Sequence, residues 1–217
     1  MTAKSSKKQV SVLYSPGTNC EEEIMEAFRL AGGIPSLVYL KDLRERQAKI
    51  TDCDCFVVPG GFSYGDYPDT GVAVAEFLRT QFAELAESGI PTIGICNGMQ
   101  ILVRAGVFGS DLVMGQNDSG RFVSKTFGHY VIRSNCVWTK GLEGETLQFA
   151  AAHGFGKLVG EGKRNVVMEY DGDSPCGDEV AAICNDTGRI MALMDHPERR
   201  PSNPDGLAIF RRGLEAA

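Results

Sequence analysis

The sequence predicts a doubly wound α/β fold, a mostly parallel sheet with flanking helices and added antiparallel strands. Three observations carry this. Short β-branched runs alternate with amphipathic helical patterns through the first half of the chain. Strand-like runs dominate the second half, spaced closely enough to pair as hairpins. No linker, repeat or low-complexity stretch separates the halves, so residues 9–217 are expected to form a single domain behind a flexible tail, 1–8.

The first-half strands are "QVSVLYS" (9–15), "SLVYLK" (36–41), "CFVVPGG" (55–61) and "PTIGIC" (91–96), each followed by turn residues. The first helix is expected to open on Asn19 as its cap, with Glu22 three residues on and Glu21 to Glu23 at the positive end of the macrodipole. Ile24, Ala27, Phe28 and Ala31 form its inner stripe, and Gly32 and Gly33 end it. A second helix runs over about 71–88, with Val74, Phe77, Leu78, Phe82 and Leu85 at helical spacing, and a third from Asn97 to about Ala105. "RFVSKTFGHYVIRS", "LQFAAA", "VVMEY" and the pair "VAAIC" and "IMALM" around "NDTG" read as later strands, with a last helix near 205–214. Ligands of such sheets bind outside the carboxyl ends of the strands, so the chemistry should lie there.

Composition narrows the function classes. A formal charge of −6 and a pI near 5.2 argue against a nucleic-acid surface, and no apolar run reaches membrane-spanning length. "MTAKSSKK" lacks the apolar core of a secretory signal, so the expected location is cytoplasmic. Seven cysteines, an odd number with no C-x-x-C pair, speak against a disulfide framework and against a metal site. Cys53 and Cys55 read as small hydrophobes on one face of a strand start.

"GICNGMQ" (94–100) holds the first chemical signal. Its G-x-C-x-G frame has the spacing of a nucleophile elbow, a sharp strand-to-helix turn that projects the central side chain into a crevice. Cys96 would then sit at a helix N-terminus, where free N–H groups and the dipole favour the nucleophilic thiolate. A buried structural cysteine is the plain alternative. "MDHPER" supplies His196 and Glu198 after an apolar strand, two residues apart and so on one side of an extended chain. A base beside its orienting acid is the logic of a triad, although a locally satisfied histidine fits the spacing equally well. "PGGFSYGD" (59–66) places Gly60 and Gly61 where backbone N–H groups could meet an oxyanion, joined by that of Asn97. It lacks a P-loop ending, and an ordinary glycine turn is the alternative.

In this order, "PGGFSYGDY", "GICNGMQIL" and "HPER" resemble the class I glutamine amidotransferases, whose sheet is flavodoxin-like. Within that family they are most similar to the glutaminase subunits of a purine-pathway synthase that makes phosphoribosylformylglycinamidine. "SPGTNC", "NDSGRF" and "AAAHGFG" extend the resemblance over nearly the whole chain. It implies that Cys96 attacks the carboxamide of L-glutamine, that His196 protonates the departing ammonia, and that Glu198 holds His196. Gly61 and Asn97 would form the oxyanion hole. Gly60, Phe62, Gln100, Asn117 and Ser119 would hold substrate, and His153 would look toward a partner or play a structural part.

The resemblance also implies no cofactor in this chain. ATP and Mg would belong to a large synthetase subunit, with a small bridging subunit between the two. His129 reads as a satisfied strand residue, while Tyr64 and Asp66 shape the pocket or brace the turn. Pro68, Phe155 and Asp195 depart from the family pattern, as does "GDSPCGDE", and these changes leave the ammonia acceptor open. One alternative is a paralogue feeding another synthetase; another, a catalytically retired regulatory subunit. A cysteine hydrolase of the peptidase and deglycase folds would have His after the nucleophile, where this chain has Asn97.

Overall fold

A computed structural model describes residues 7–63 and 71–217; Tyr64, Asp66 and Pro68 lie outside the described residues. In chain order the first half is β1 (Gln9–Tyr14), α1 (Glu21–Ala31), β2 (Ile34–Tyr39), α2 (Leu40–Arg44), β3 (Cys55–Val58), α3 (Val72–Ser88), β4 (Thr92–Ile95) and α4 (Asn97–Arg104). The second is β5 (Val113–Gly115), β6 (Val123–Val131), β7 (Thr146–His153), β8 (Lys157–Val159), β9 (Asn165–Tyr170), β10 (Val180–Cys184), β11 (Ile190–Leu193) and α5 (Pro204–Ala216).

Nine strands form one sheet in the order β2-β1-β3-β4-β11-β10-β9-β6-β7. Every pair from β2 to β11 is parallel, and every pair from β11 to β7 antiparallel. β11 is therefore the seam. It lies parallel to β4 on one side and antiparallel to β10 on the other, and β3, β4 and β11 are buried throughout.

Period-two alternation sends side chains to two apolar layers. Val10, Val12, Val57, Ile93 and Ile95 pack with Ile24, Phe28, Ile209 and Phe210 of α1 and α5, where the Phe28 and Phe210 rings sit 4.7 Å apart. Leu13, Phe56 and Val58 meet Val74, Leu78, Phe82 and Leu85 of α3 on the opposite face. Each such buried side chain contributes roughly 1.5–3 kcal/mol relative to exposure. Short α4 divides its face, Met99 and Val103 joining the first layer and Ile101 and Leu102 the second.

Three local expectations need correction. Asn19 does not cap α1: Cys20 holds that position, and the Asn19 Oδ1 accepts from the Cys20 thiol at 3.2 Å. The third strand stops at Val58, because Pro59 to Gly61 turn out of the sheet toward Gly17 and Thr18. Cys53 lies before β3 and donates to the Ile50 carbonyl, so only Cys55 is a strand residue. At the other end of the chain Asn203 does cap, accepting from the Asp205 N–H with Pro204 in the first turn. No helix among the described residues is long and apolar enough to cross a membrane.

Candidate active site

Sheet order explains how residues 100 apart in sequence become neighbours. β3, β4 and β11 lie side by side and run the same way, with Val58 beside Gly94 and Ile95 beside Leu193. Their carboxyl ends therefore open at one level. Pro59–Ser63 follows the first, Cys96 the second and Asp195–Glu198 the third. The Cys96 N–H donates to the Leu193 carbonyl at 2.8 Å, which locks the elbow to the strand that delivers His196.

Cys96 has φ 53° and ψ −110°, a conformation that non-glycine residues rarely adopt and that costs about 1–3 kcal/mol. The flanking glycines are forced by packing. A Cβ on Gly94 would lie 2.5 Å from Leu102 Cδ1, and one on Gly98 would collide with the Val58 carbonyl oxygen. Without side chains at these two positions, α4 can start directly over the ends of β3 and β4. The strained turn is held by backbone contact on both sides.

His196 is anchored through its N–H to the Ala150 carbonyl on β7 at 2.9 Å. Its Nδ1 lies 2.6 Å from Glu198 Oε1, and both side chains are buried. A carboxylate can only accept, so Nδ1 carries the proton and Nε2 is left as the basic nitrogen. Nε2 and Glu198 Oε2 have no hydrogen-bond partner among the described residues. Burial works against the imidazolium, but the Glu198 charge and contact with Cys96 outweigh it and hold His196 well above the ordinary histidine value.

Gly60 shows how tightly these groups converge. A Cβ there would sit 2.9 Å from His196 Cε1, 3.2 Å from Cys20 Sγ and 3.5 Å from Cys96 Cβ. The imidazole and the elbow cysteine thus border the same methyl-sized space. On the other side of the thiol, Cys96 Sγ faces the Ala152 carbonyl at 4.0 Å. A narrow slot of about 10 Å³, room for one water, reaches Cys96 between Gly61, Phe62, Gln100, Ala152, His153 and Gly154.

Comparison with known proteins agrees with this geometry. Residues 7–204 match the CobB/CobQ-like glutamine amidotransferase domain. A phosphoribosylformylglycinamidine synthase subunit PurQ from Thermotoga maritima is 38% identical over 212 residues, covering 94% of this chain and 96% of that protein. The chain belongs to the PurQ family of glutamine amidotransferases. A PurQ subunit from Dehalococcoides mccartyi is 36% identical, covering 98% of both chains. In a solved structure described as PurLQS from Thermotoga maritima, one chain superposes with a TM-score of 0.85 at 34% identity, covering 97% of this chain and 99% of that one.

In this PurQ-family chain, Gly61, Phe62 and Gln100 line the slot beside Cys96. Gly60 packs behind it against His196. Asn97 ties the glycine loop to α4: its Oδ1 accepts from the Ser63 N–H at 3.2 Å and its Nδ2 donates to Gln100 Oε1 at 3.0 Å. Gln100 Nε2 donates on to the Phe155 carbonyl at 2.9 Å. Asn117 and Ser119 stand away from the slot lining. Asn117 is buried and braces the wall behind it, donating to the His153 and Arg121 carbonyls and accepting from the Gly156 N–H. Ser119 is exposed and bonds locally to Arg121.

His153 fits the structural one of its two readings rather than the partner-facing one. It is 3% exposed, with one ring nitrogen 3.3 Å from Asn117 Oδ1 and the other 3.1 Å from Asp195 Oδ1. His129 is fully buried in β6 and its Nδ1 donates to the Phe127 carbonyl, but its Nε2 makes no hydrogen bond among the described residues, so it is a strand residue only partly satisfied.

Sequence reasoning missed Cys20 and Asp195 as members of the site. Cys20 Sγ lies 3.9 Å from His196 Nδ1, and burial, partly offset by that contact, pushes its thiol up and keeps it protonated. Cys20, His196 and Glu198 offer the donor atoms of a soft-metal site within 4.8 Å of one another, but the carboxylate is already committed to the imidazole. "SPGTNC" is the only signal that could have placed Cys20 here, since the turn carrying it pairs with Gly61.

Proposed function

We propose that this chain is the glutaminase subunit that supplies ammonia for phosphoribosylformylglycinamidine formation in purine biosynthesis. The observation that carries the reading is the convergence of a strained Cys96 elbow with a bonded His196–Glu198 pair at neighbouring strand ends, in a chain of the PurQ family.

The reaction follows from the layout. Cys96 gives its proton to His196 Nε2 and its sulfur attacks the side-chain carboxamide carbon of L-glutamine. Backbone N–H groups of Gly61 and Asn97 stabilise the oxyanion, each such donor being worth roughly 3 kcal/mol of barrier. The C–N bond breaks as His196 returns the proton to the amide nitrogen, releasing ammonia and leaving a thioester on Cys96. Water, deprotonated by His196, then hydrolyses the thioester to glutamate and regenerates the thiol. Glu198 keeps Nδ1 protonated throughout, so Nε2 faces the reacting atoms. Gln100 and Phe62 orient the substrate.

The acceptor chemistry belongs to a large synthetase subunit that carries ATP and Mg, with a small bridging subunit joining the two. The enzyme is cytoplasmic and residues 9–217 act as one domain. The slot at Cys96 has room for about one water, so basal turnover is slow and rises when the synthetase docks and the slot opens. Co-purification with the cognate synthetase, followed by a glutamine-dependent amidine-forming assay, tests the reading. Ammonia release with no amidine would assign the chain to a paralogous complex, and turnover unchanged in Cys96→Ala would mark it as a retired regulatory subunit.

A further inference from the structure

The chain has three histidines, and all three gather around two consecutive residues, Asp195 and His196. Neighbours on an extended segment point to opposite sides. His196 turns toward Glu198 and Cys20, while Asp195 turns into the antiparallel flank, where it is fully buried. There its Oδ2 lies 3.1 Å from His129 Nε2, its Oδ1 3.1 Å from His153 Nε2, and the Tyr170 hydroxyl donates to Oδ1 at 3.4 Å. Burying a carboxylate costs several kcal/mol that pairing offsets only in part, and apolar residues would commonly serve stability as well. The triad itself makes no use of Asp195.

Hydrogen-bond directions show what the cluster holds. His129 Nδ1 faces the Phe127 carbonyl, which can only accept, so that nitrogen bears a proton. His153 Nδ1 faces Asn117 Oδ1, whose identity is fixed because Asn117 Nδ2 donates to two carbonyls while Oδ1 accepts from the Gly156 N–H. His153 Nε2 meets Asp195 Oδ1 in hydrogen-bond geometry, whereas His129 Nε2 lies 3.1 Å from Oδ2 without making a hydrogen bond. Both nitrogens of His153 thus face atoms that can only accept, and a neutral ring would aim a lone pair at one of them. The His153 ring is therefore placed to carry a proton on each nitrogen. The other titratable groups within electrostatic reach are Tyr170 on β9 and Cys176 before β10, with Asp178 beside them, and His196 and Glu198 on the same segment. Burial first, and Asp195 among the further causes, pushes the Tyr170 hydroxyl and the Cys176 thiol up, so both stay neutral. For Asp195, burial raises the carboxyl, but contacts with His129 and His153 prevail and hold it below its ordinary value, so it faces His153 as an acceptor.

His153 carries this charge pair to the site. A Cβ on Gly156 would collide with the His153 ring, so the ring is clamped by the turn that follows it. The strand end just before the ring presents Ala152 O to Cys96 Sγ, and the turn after it presents Phe155 O to Gln100 Nε2. We propose that Asp195 is a positioning residue for glutamine binding: its pairing with a His153 imidazolium, with His129 packed alongside, pins the 152–156 segment as the roof of the Cys96 slot. The inference rests on the glutaminase reading for its kinetic arm only.

Nitrogen-15 histidine spectra of the full chain test the proton, each ring being assigned by His129→Gln, His153→Gln or His196→Gln. At neutral pH one ring of the cluster should show both nitrogens protonated, and that signature should vanish in Asp195→Asn. Two singly protonated rings in the wild type would overturn the proposal. Alkylation of Cys96 by iodoacetamide tests the roof without reference to any substrate: Asp195→Asn should speed it about tenfold, and an unchanged rate overturns the roof. In the synthetase complex, Asp195→Asn should raise the KM for glutamine about tenfold and leave kcat within about threefold, with His153→Gln matching it and the double variant no worse than either. A fall in kcat at constant KM, or additive losses, would overturn the assignment. If Asp195→Asn does not fold, His129→Gln keeps the carboxylate and one imidazole, and a smaller shift in the same three readings is then expected. A wild-type complex without glutaminase activity sinks the function and leaves the spectra and alkylation to decide this inference.

Discussion

Cys20 and Cys96 invite comparison because they share so much. Each is 6% exposed, each occupies the N-cap position of a helix, and each lies against His196. They differ in what surrounds the sulfur. Cys20 opens a helix whose first turn is Glu21, Glu22 and Glu23, three carboxylates that oppose a thiolate, and burial pushes its thiol up. Cys96 opens a helix with no acidic residue in its first turn, on a backbone bent to positive φ between two glycines. Its sulfur borders the slot, whereas Cys20 borders a separate cavity of about 790 Å³ behind His196, lined by Asn19, Gln148, Arg199, Arg200 and Asn203. A helix N-terminus and a nearby imidazole thus do not make a nucleophile unless the local charge and the turn also agree.

The hardest way to break the comparison is Cys96→Ala. With Cys20 unable to substitute, ammonia release from glutamine in the complex should fall by at least about 10⁴-fold, as when other nucleophiles are removed, while the protein stays folded. Turnover near wild type would remove Cys96 as the nucleophile and return the reading of a retired regulatory subunit.

Glu198→Gln should cost about 10²–10⁴-fold in kcat, because the amide can no longer fix the Nδ1 proton and the ring loses its tautomer. The same variant should change stability with a definite sign. His196 has its folded value raised, so its contribution is fully present below the unfolded value of about 6.5 and is lost as pH rises through the higher folded value. Urea unfolding across that alkaline range should show a decline in wild type that Glu198→Gln flattens. A parallel decline in both would remove Glu198 as the cause.

Much of this layout was legible in the sequence, and the reasons are local. β-branched runs marked β1, β3 and β4; G-x-C-x-G marked the elbow; and the two-residue step from His196 to Glu198 put acid and imidazole on one side. Sheet order was less accessible. Nothing in the spacing of His129, His153 and Tyr170 says that β6, β7 and β9 bring them beneath Asp195, since that depends on pairing between strands, with His129 lying 66 residues before it (195 − 129). Asp195 was visible only as a departure from the family pattern. Asn19 was misread because its side chain, which suits a cap, accepts instead from the thiol beside it. The two-stranded β5–β8 sheet escaped notice for a simpler reason: each strand has three residues, too few to establish a period.

Gly98→Ala asks whether the elbow is held by packing. The new methyl would meet the Val58 carbonyl, which is backbone and cannot swing away, so α4 must lift from β3. Overpacking of this kind typically costs about 1–3 kcal/mol, and thermal unfolding should register it. Turnover should fall too, because Asn97 and Gln100 move with the helix that carries their contacts to Ser63 and Phe155. Unchanged stability and turnover would show that the frame tolerates a side chain and that the glycine is incidental.

Cys20→Ser should have the smallest effect and is for that reason the sharpest test of the contrast. The hydroxyl keeps a donor for Asn19 Oδ1, which now accepts from the thiol at 3.2 Å, and leaves the 2.6 Å His196–Glu198 bond untouched. Turnover should therefore stay within about threefold of wild type, the small loss reflecting weaker packing of oxygen than of sulfur against the imidazole. A limiting amount of iodoacetamide should label Cys96 in both proteins, and peptide mapping should find Cys20 unmodified in the wild type. A loss above a hundredfold would instead make Cys20 a working part of the proton relay, since a serine that preserves the hydrogen bond but cannot mimic the thiol's acidity would then be the only thing that had changed beside the ring.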